Sequence, residues 1–255
     1  MTKRTEADVA RLYHRHSSHE RARLFEADID HDRQPACFRT YPGAPRTPLP
    51  GKDFALAMPL GVALERRRSV REHTLRPLPL ETLGRLLHTS YGVKGHRRVD
   101  GEELLERPAP SAGGRYPLEL YVATQSVEGL RDGIHHYDVR AHALEQVREG
   151  LAQPALVELT MDQEWIRHVN VVVVITALRE RTMWKYGQRG YRHLFLDAGH
   201  VGQNLYLVAT ALGLGPTAIG GFLDEDLGAL LQLPPDEEPF YILGIGQPAA
   251  VGAPA

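Results

Sequence analysis

Five consecutive β-branched residues, Val171-Val172-Val173-Val174-Ile175, constrain this chain more than any other stretch. Branched Cβ atoms favour extended backbone, and a run without polar alternation predicts a strand buried on both faces. Further strands are expected at Leu118 to Thr124, Ile134 to Tyr137, Leu144 to Val147 and Phe240 to Ile245. Leu80, Leu83, Leu86, Leu87 and Tyr91 recur at helical spacing, with Gly92 where a C-terminal cap belongs. Phe195 to Leu212 has helical length and is apolar on nearly every side, with Ala198, Gly199, Gly202 and Ala209 as small surfaces. Such a helix has to be buried all round, by another subunit as well as by the sheet. Asp224 stands where it could cap a short helix through Leu227, Leu230 and Leu231, before Pro234. These elements do not alternate as βαβα, so the expected class is α+β.

Residues 1–50 read differently. Histidines and arginines crowd His14 to Arg23, and the proline-rich stretch Tyr41 to Pro50 favours an extended path. The expected organisation is an N-terminal arm, residues 1–50, packed on one domain spanning 51–255. The charged start Thr2-Lys3-Arg4-Thr5-Glu6 lacks the apolar core of a signal peptide, and no apolar run reaches the ~20 residues of a membrane span. A cytoplasmic protein is therefore expected. A formal charge of -2 gives no field for nucleic acid or an anionic membrane. With Cys37 as the single cysteine, no intrachain disulfide can form and no structural zinc site has obvious ligands. His14, His16, His19 and His31 lack the partners that a metal site needs and read as polar surface, so no metal is expected.

Four segments could carry chemistry. Arg66 to Arg71 places four guanidinium groups and the Ser69 hydroxyl within six residues, which suits either a phosphate cradle or a solvated basic helix end. Arg107 to Pro117 fixes the chain with prolines, while Ala112, Gly113 and Gly114 would let a flat ligand approach bare backbone; the alternative is an ordinary turn into the next strand. Trp184 to Arg192 is expected as a loop after the buried strand, where Lys185 beside Tyr186 offers proton transfer or an aromatic anchor. Gly213 to Phe222 is not a dinucleotide fingerprint, because it follows a helix and leads into a strand-like turn. Gly220 and Gly221 instead suit a place where backbone touches a ring. Asp197 and His200 suit an interface hydrogen bond better than a catalytic pair. Gln203 and Asn204 suit the satisfaction of buried groups.

In this order the segments resemble the nitroreductase superfamily, and more narrowly its SagB-type and McbC-like azoline dehydrogenases, also found as oxidase domains in nonribosomal peptide synthetases. The residues that carry the likeness are Arg67-Arg68-Ser69-Val70-Arg71, Ala109 to Glu119, Gly133 to Tyr137, Lys185 to Arg192, Asp197 to His200, Gln203 to Leu205, Gly220-Gly221-Phe222 and Gly244 to Pro248. It extends over residues 36–248. The resemblance implies a central mixed, mainly antiparallel sheet flanked by helices, in a homodimer with FMN at the subunit interface. It implies that Arg67, Arg68, Ser69 and Arg71 hold the phosphate and ribityl chain. Pro110, Ser111, Ala112, Gly113 and Gly114 would line the flavin from the partner subunit, and Gly220 and Gly221 would face the isoalloxazine. Lys185 and Tyr186 match the pair assigned to proton abstraction. Many nitroreductases have Asn where this chain has Gly114, and a basic tail where Ala249 to Ala255 is uncharged. Both departures favour the azoline-dehydrogenase branch.

The function expected from this resemblance is FMN-dependent oxidation of a thiazoline, an oxazoline or a related peptide-derived or carrier-tethered intermediate in natural-product assembly. A cyclodehydratase or synthetase would be the partner. The rival readings are an NAD(P)H-dependent nitro or quinone reductase and a flavin-binding scaffold of a modifying complex.

Overall fold

In the computed structural model, which describes residues 3–18, 34–52, 54–99 and 102–249, the chain opens with α1 (Lys3–His16) and β1 (Arg46–Pro48). It continues with α2 (Leu60–Arg66), β2 (His73–Thr74), α3 (Leu80–Tyr91) and a hairpin of β3 (Gly95–Val99) and β4 (Glu102–Glu106). Three sheet strands follow, β5 (Leu118–Thr124), β6 (Gly133–Asp138) and β7 (Ala143–Glu149), and then α4 (Gln153–Leu159) and β8 (Val171–Leu178). The remainder is α5 (Glu180–Tyr186), α6 (Gly190–Ala211), β9 (Gly215–Ile219), α7 (Asp224–Leu230) and β10 (Glu237–Pro248).

The β-branched run forms most of β8, which lies between β5 and β10 in a sheet ordered β1-β7-β6-β5-β8-β10-β2, with β9 also paired to β10. These strand pairs are antiparallel; the parallel contact is an isolated bridge between Leu78 and Val127. Alternation sorts β8 between two cores. Val171, Val173 and Ile175 join Leu118, Leu120 and Val122 under α3 and α6, and Val172 and Val174 join Tyr121 and Ala123 under α4 and α7. The class is therefore α+β, a sheet with helices on both faces.

The segment preceding β1 is tied to the sheet by buried charge. His136 on β6 bonds through Nε2 to Glu119 Oε2 at 2.9 Å and through Nδ1 to Glu145 Oε2 at 3.1 Å. Arg181 of α5 donates to the other Glu119 oxygen at 2.6 Å and, through Nε, to the Ala36 carbonyl. The Tyr41 N–H donates to Glu145, and the Tyr41 and Tyr121 hydroxyls lie 2.7 Å apart. Burial alone would raise Glu119 and lower His136, but their mutual contact and the Arg181 charge outweigh it. Glu119 thus lies below its usual range and His136 above its own.

Several local expectations are corrected. Trp184 to Arg192 is helical rather than a loop: α5 runs to Tyr186, a 3₁₀ turn covers 187–189, and α6 starts at Gly190. The glycines mark the break between two helices, since Gly187 takes a left-handed φ of 53°. Asp224 lies inside the first turn of α7 and makes no capping bond; with Glu225 and Asp226 it complements the helix dipole instead. Residues 3–16 are helical, which the histidine and arginine crowding did not reveal. Of the four N-terminal histidines, His14 and His16 lie on the exposed surface, whereas His19 and His31 fall outside the described residues. No metal-binding group of three His, Cys, Asp or Glu occurs among the described residues. No helix among them is long and apolar enough to cross a membrane.

Candidate functional site

Two of the singled-out segments are fastened to α6, at separate points. The first is the arginine stretch. α2 ends at Arg66, and the backbone turns so that Val70 N–H donates to the Pro216 carbonyl at 3.0 Å, while Thr217 returns a bond to Val70. A methyl on Gly215 would lie 2.8 Å from Val70 Cβ, so glycine permits this approach. Ser69 Oγ lies 2.9 Å from the Tyr206 hydroxyl, which also accepts the Ala218 N–H at 2.8 Å. Arg67 stacks 5.4 Å from the Tyr206 ring. The Arg66–Arg71 stretch is thus joined to β9, which leads directly to Gly220 and Gly221. Arg68 donates to the carbonyls of Glu65 and Arg67. Among the described residues, neither Arg67, Arg68 nor Arg71 has an ion-pair partner.

The second is the glycine-rich turn. Ser111 Oγ donates to Asp197 Oδ2 at 2.6 Å and accepts the Tyr116 N–H at 2.9 Å. Burial raises the Asp197 carboxyl above its usual value despite the bonds it accepts from Ser111 and the Ala112 backbone. Gly113 and Gly114 both take left-handed φ, 59° and 65°. A Cβ on Gly113 would stand 2.4 Å from the Tyr186 hydroxyl. That close approach brings the Lys185–Tyr186 helix end onto the Ser111–Gly114 turn, with the Lys185 ammonium 5.7 Å from the Tyr186 ring centre. His193 of α6 packs edge-on against Tyr186 at 5.2 Å.

Asp197 therefore bonds within its own chain, where an interface contact was expected. Asn204 satisfies the Ser90 carbonyl as expected, but Gln203 is exposed. Arg189 and Arg192, both beside the Lys-Tyr pair in sequence, turn to Ser17, Ser18 and His14 at the end of α1. The α6 helix is not buried all round in one chain: Phe195, Leu196, Gly199 and Gln203 form an open stripe, with Phe195 51% and Leu196 58% exposed. Sequence reasoning also missed Tyr206, whose position invites no such role until the helix phase is known.

The residues present fit a flavin mononucleotide. Unpaired guanidinium groups suit a phosphate monoester. Gly220 has open space on its Cβ side and borders a cleft of about 540 Å³ walled by Tyr191, Phe195, Phe222 and Phe240. Gly221 instead faces Met161, 2.8 Å from where its Cβ would stand. Asp197 and Tyr206, which hold the two segments, are about two and a half turns apart on α6, so they leave opposite faces roughly 13 Å apart along the axis.

A sheet with helices on both faces, an arginine stretch feeding a double glycine, and a Pro-Ser-Ala-Gly-Gly turn under a Lys-Tyr pair describe a nitroreductase-like protein. The nitroreductase family model matches residues 64–247, and the chain belongs to that family. It is 35% identical over 184 residues to a Methanocaldococcus jannaschii protein provisionally named as nitroreductase MJ1384, covering 72% of this chain and 88% of that one. It is 29% identical to the microcin B17-processing protein McbC of Escherichia coli over 51% of this chain and 49% of McbC. A solved nitroreductase-type structure from Anabaena variabilis superposes with a TM-score of 0.76 at 26% identity, over 97% of this chain and half of the other. The sequence match thus takes in only about half of McbC, and the superposition half of the Anabaena chain. In fold it also resembles a chain of the E. coli microcin synthetase McbBCD complex, with a TM-score of 0.64 at 22% identity.

Proposed function

We propose that this chain is an FMN-dependent dehydrogenase, working as a homodimer, that oxidises a thiazoline, an oxazoline or a related peptide-derived or carrier-bound ring. The observation that carries the reading is the contact of the Tyr186 hydroxyl with Gly113, which puts the Lys-Tyr pair onto the turn assigned to the flavin. The likeness to McbC supports the same branch. The two α6-held segments leave opposite faces of one helix, which supports a site assembled from two chains, the arginine stretch of one and the Ser111 turn of the other. The open Phe195–Leu196 stripe supports that pairing, because exposed apolar surface costs about 25 cal/mol per Å².

FMN, when bound, supplies a two-electron hydride acceptor. The residues of the chain would do the rest. Arg67, Arg68, Arg71 and Ser69 hold the phosphate, and Gly220 leaves room for a ring. Conversion of an azoline to an azole removes one proton and one hydride from adjacent ring carbons, and Tyr186 with Lys185 would take the proton. Dioxygen would be the final two-electron acceptor.

The nitro or quinone reductase reading is favoured by the longer match to MJ1384. One experiment separates the two: purified protein is loaded with FMN and mixed anaerobically with NAD(P)H or with a thiazoline peptide, and the flavin band is followed. Bleaching by the thiazoline, lost by about 10²–10⁴-fold in Lys185→Ala and Tyr186→Phe while FMN stays bound, is the expected result. Rapid bleaching by NAD(P)H alone establishes the reductase, and failure to load FMN removes both.

A further inference from the structure

Beside the Ser111 turn lies a cavity of about 360 Å³ that none of the functional roles above uses. One of its walls is Arg107, which follows β4 and is only 7% exposed. A guanidinium so far out of water is normally paired with a carboxylate, because desolvating a lone cation costs several kcal/mol. Among the described residues Arg107 has no ion-pair partner, and its buried Nε has no hydrogen-bond acceptor. Aromatic faces hold it instead: the group sits 4.7 Å from the ring centres of Tyr91 and Tyr116 and 5.8 Å from Phe38. Stacking fixes the plane of the fork and leaves its N–H edge without a partner among the described residues.

The remaining walls agree with an anionic ligand. Arg115 and Arg140 join Arg107 around the cavity, and among the described residues no Asp or Glu lines it. Arg140 stacks 4.5 Å from the ring centre of Phe38, which also lines the cavity. Phe38, Val93, Leu105 and Tyr116 make the body of the cavity apolar. Tyr116 is held at a left-handed φ of 46° immediately before Pro117, a conformation that costs a non-glycine residue of order 1–3 kcal/mol and clusters at ligand clamps. Its hydroxyl accepts the Arg107 backbone N–H at 3.3 Å, so the strained ring and the buried cation are one unit.

We propose that this cavity is a carboxylate subsite, in which the Arg107 fork takes the carboxylate of a substrate whose apolar body lies along Phe38, Leu105 and Tyr116. Gly114 and Arg115 also line it, so the subsite adjoins the turn assigned to the flavin. It selects, for the function proposed above and resting on that reading, substrates with a free carboxylate next to the reacting ring. The planar two-oxygen edge of a carboxylate matches a guanidinium held in one plane. Phosphate would meet the same cations, so it is the rival anion that the test includes.

Cys37, exposed and in the cavity wall, is the chain's single cysteine and reports occupancy. Alkylation of Cys37 by neutral iodoacetamide is timed with benzoate, benzamide or inorganic phosphate present, with and without FMN, and benzoate affinity is measured by calorimetry. Benzoate should protect Cys37 and bind, benzamide should do neither, and Arg107→Gln and Arg107→Lys should weaken benzoate by about 10- to 100-fold. Equal behaviour of benzoate and benzamide, or wild-type affinity in Arg107→Gln, overturns the subsite; stronger protection of Cys37 by phosphate than by benzoate, with FMN filling the arginine stretch, overturns the carboxylate assignment. Should the Arg107 variants fail to fold, the benzoate–benzamide contrast on wild-type protein decides alone. A chain that binds benzoate but not FMN keeps the subsite and loses the function proposed above; the converse result does the reverse.

Discussion

The Glu119–His136–Glu145 cluster and the Arg66–Arg71 stretch are both dense in charge, yet they dispose of it in opposite ways. In the cluster every charge is met by another within the chain: His136 lies between two carboxylates, and Arg181 closes the far side of Glu119. All four groups are buried. In the arginine stretch the guanidinium groups of Arg68 and Arg71 are exposed, and what bonds exist go to neighbouring carbonyls. Charge that is satisfied internally joins elements of the fold, here β6 to the segment before β1. Charge left unmatched costs the fold self-repulsion and is retained where an external anion supplies the partner. Arg107 is the intermediate case, buried like the first and unmatched like the second.

Five substitutions and a change of pH would break or sharpen that contrast. The largest effect is expected at Glu119→Ala, which strips buried Arg181 of its carboxylate and leaves His136 with Glu145 alone, and should cost about 3–5 kcal/mol of unfolding free energy by urea titration. A loss under 1 kcal/mol would show that the cluster is hydrated and structurally idle. Next, Arg67→Ala and Arg71→Ala should each weaken FMN by about 1.5–3 kcal/mol, read as flavin retained on purification and by fluorescence titration. Apoprotein stability in the same variants should stay within about 0.5 kcal/mol of wild type, which is the opposite signature. Gly113→Ala should cost roughly 1–2 kcal/mol, since it strains a left-handed φ and pushes against the Tyr186 hydroxyl. It should also slow substrate oxidation; unchanged turnover would detach Tyr186 from the turn.

The smallest expected effect is a pH dependence confined to the cluster. Glu119 is lowered in the folded chain, so its contribution is present above the ordinary carboxylate pKa and is lost as pH falls through the folded value. His136 is raised above 6.5, so its contribution is complete below 6.5 and is lost as pH rises through the folded value. The cluster therefore stabilises most between those limits. His136→Gln should flatten the decline in urea midpoint on the alkaline side, and an unaltered slope would assign that decline to other groups.

What could be read from the residues alone was whatever depends on short-range periodicity and backbone chemistry. The Val171 run, the Leu118 strand and the Leu80–Tyr91 spacing specified their elements because side-chain direction repeats every two or 3.6 residues. Ordered glycines and arginines were enough to indicate the family, because those residues meet local backbone demands. The sequence also determined that Lys185 and Tyr186 are adjacent, but their placement over Gly113 depends on how α5 and the 112–114 turn meet. The Ser111–Asp197 bond, the clamp of His136 between two glutamates, the Tyr206 anchor of Ser69 and the stack of aromatics on Arg107 all join residues distant along the chain. No local pattern encodes such pairs, because the free energy that selects them arises only when the sheet and helices have excluded water around them. The phase of α6 belongs to the same class: an apolar helix can bury any face, and only packing against β9, β10 and α3 decided which stripe stayed open.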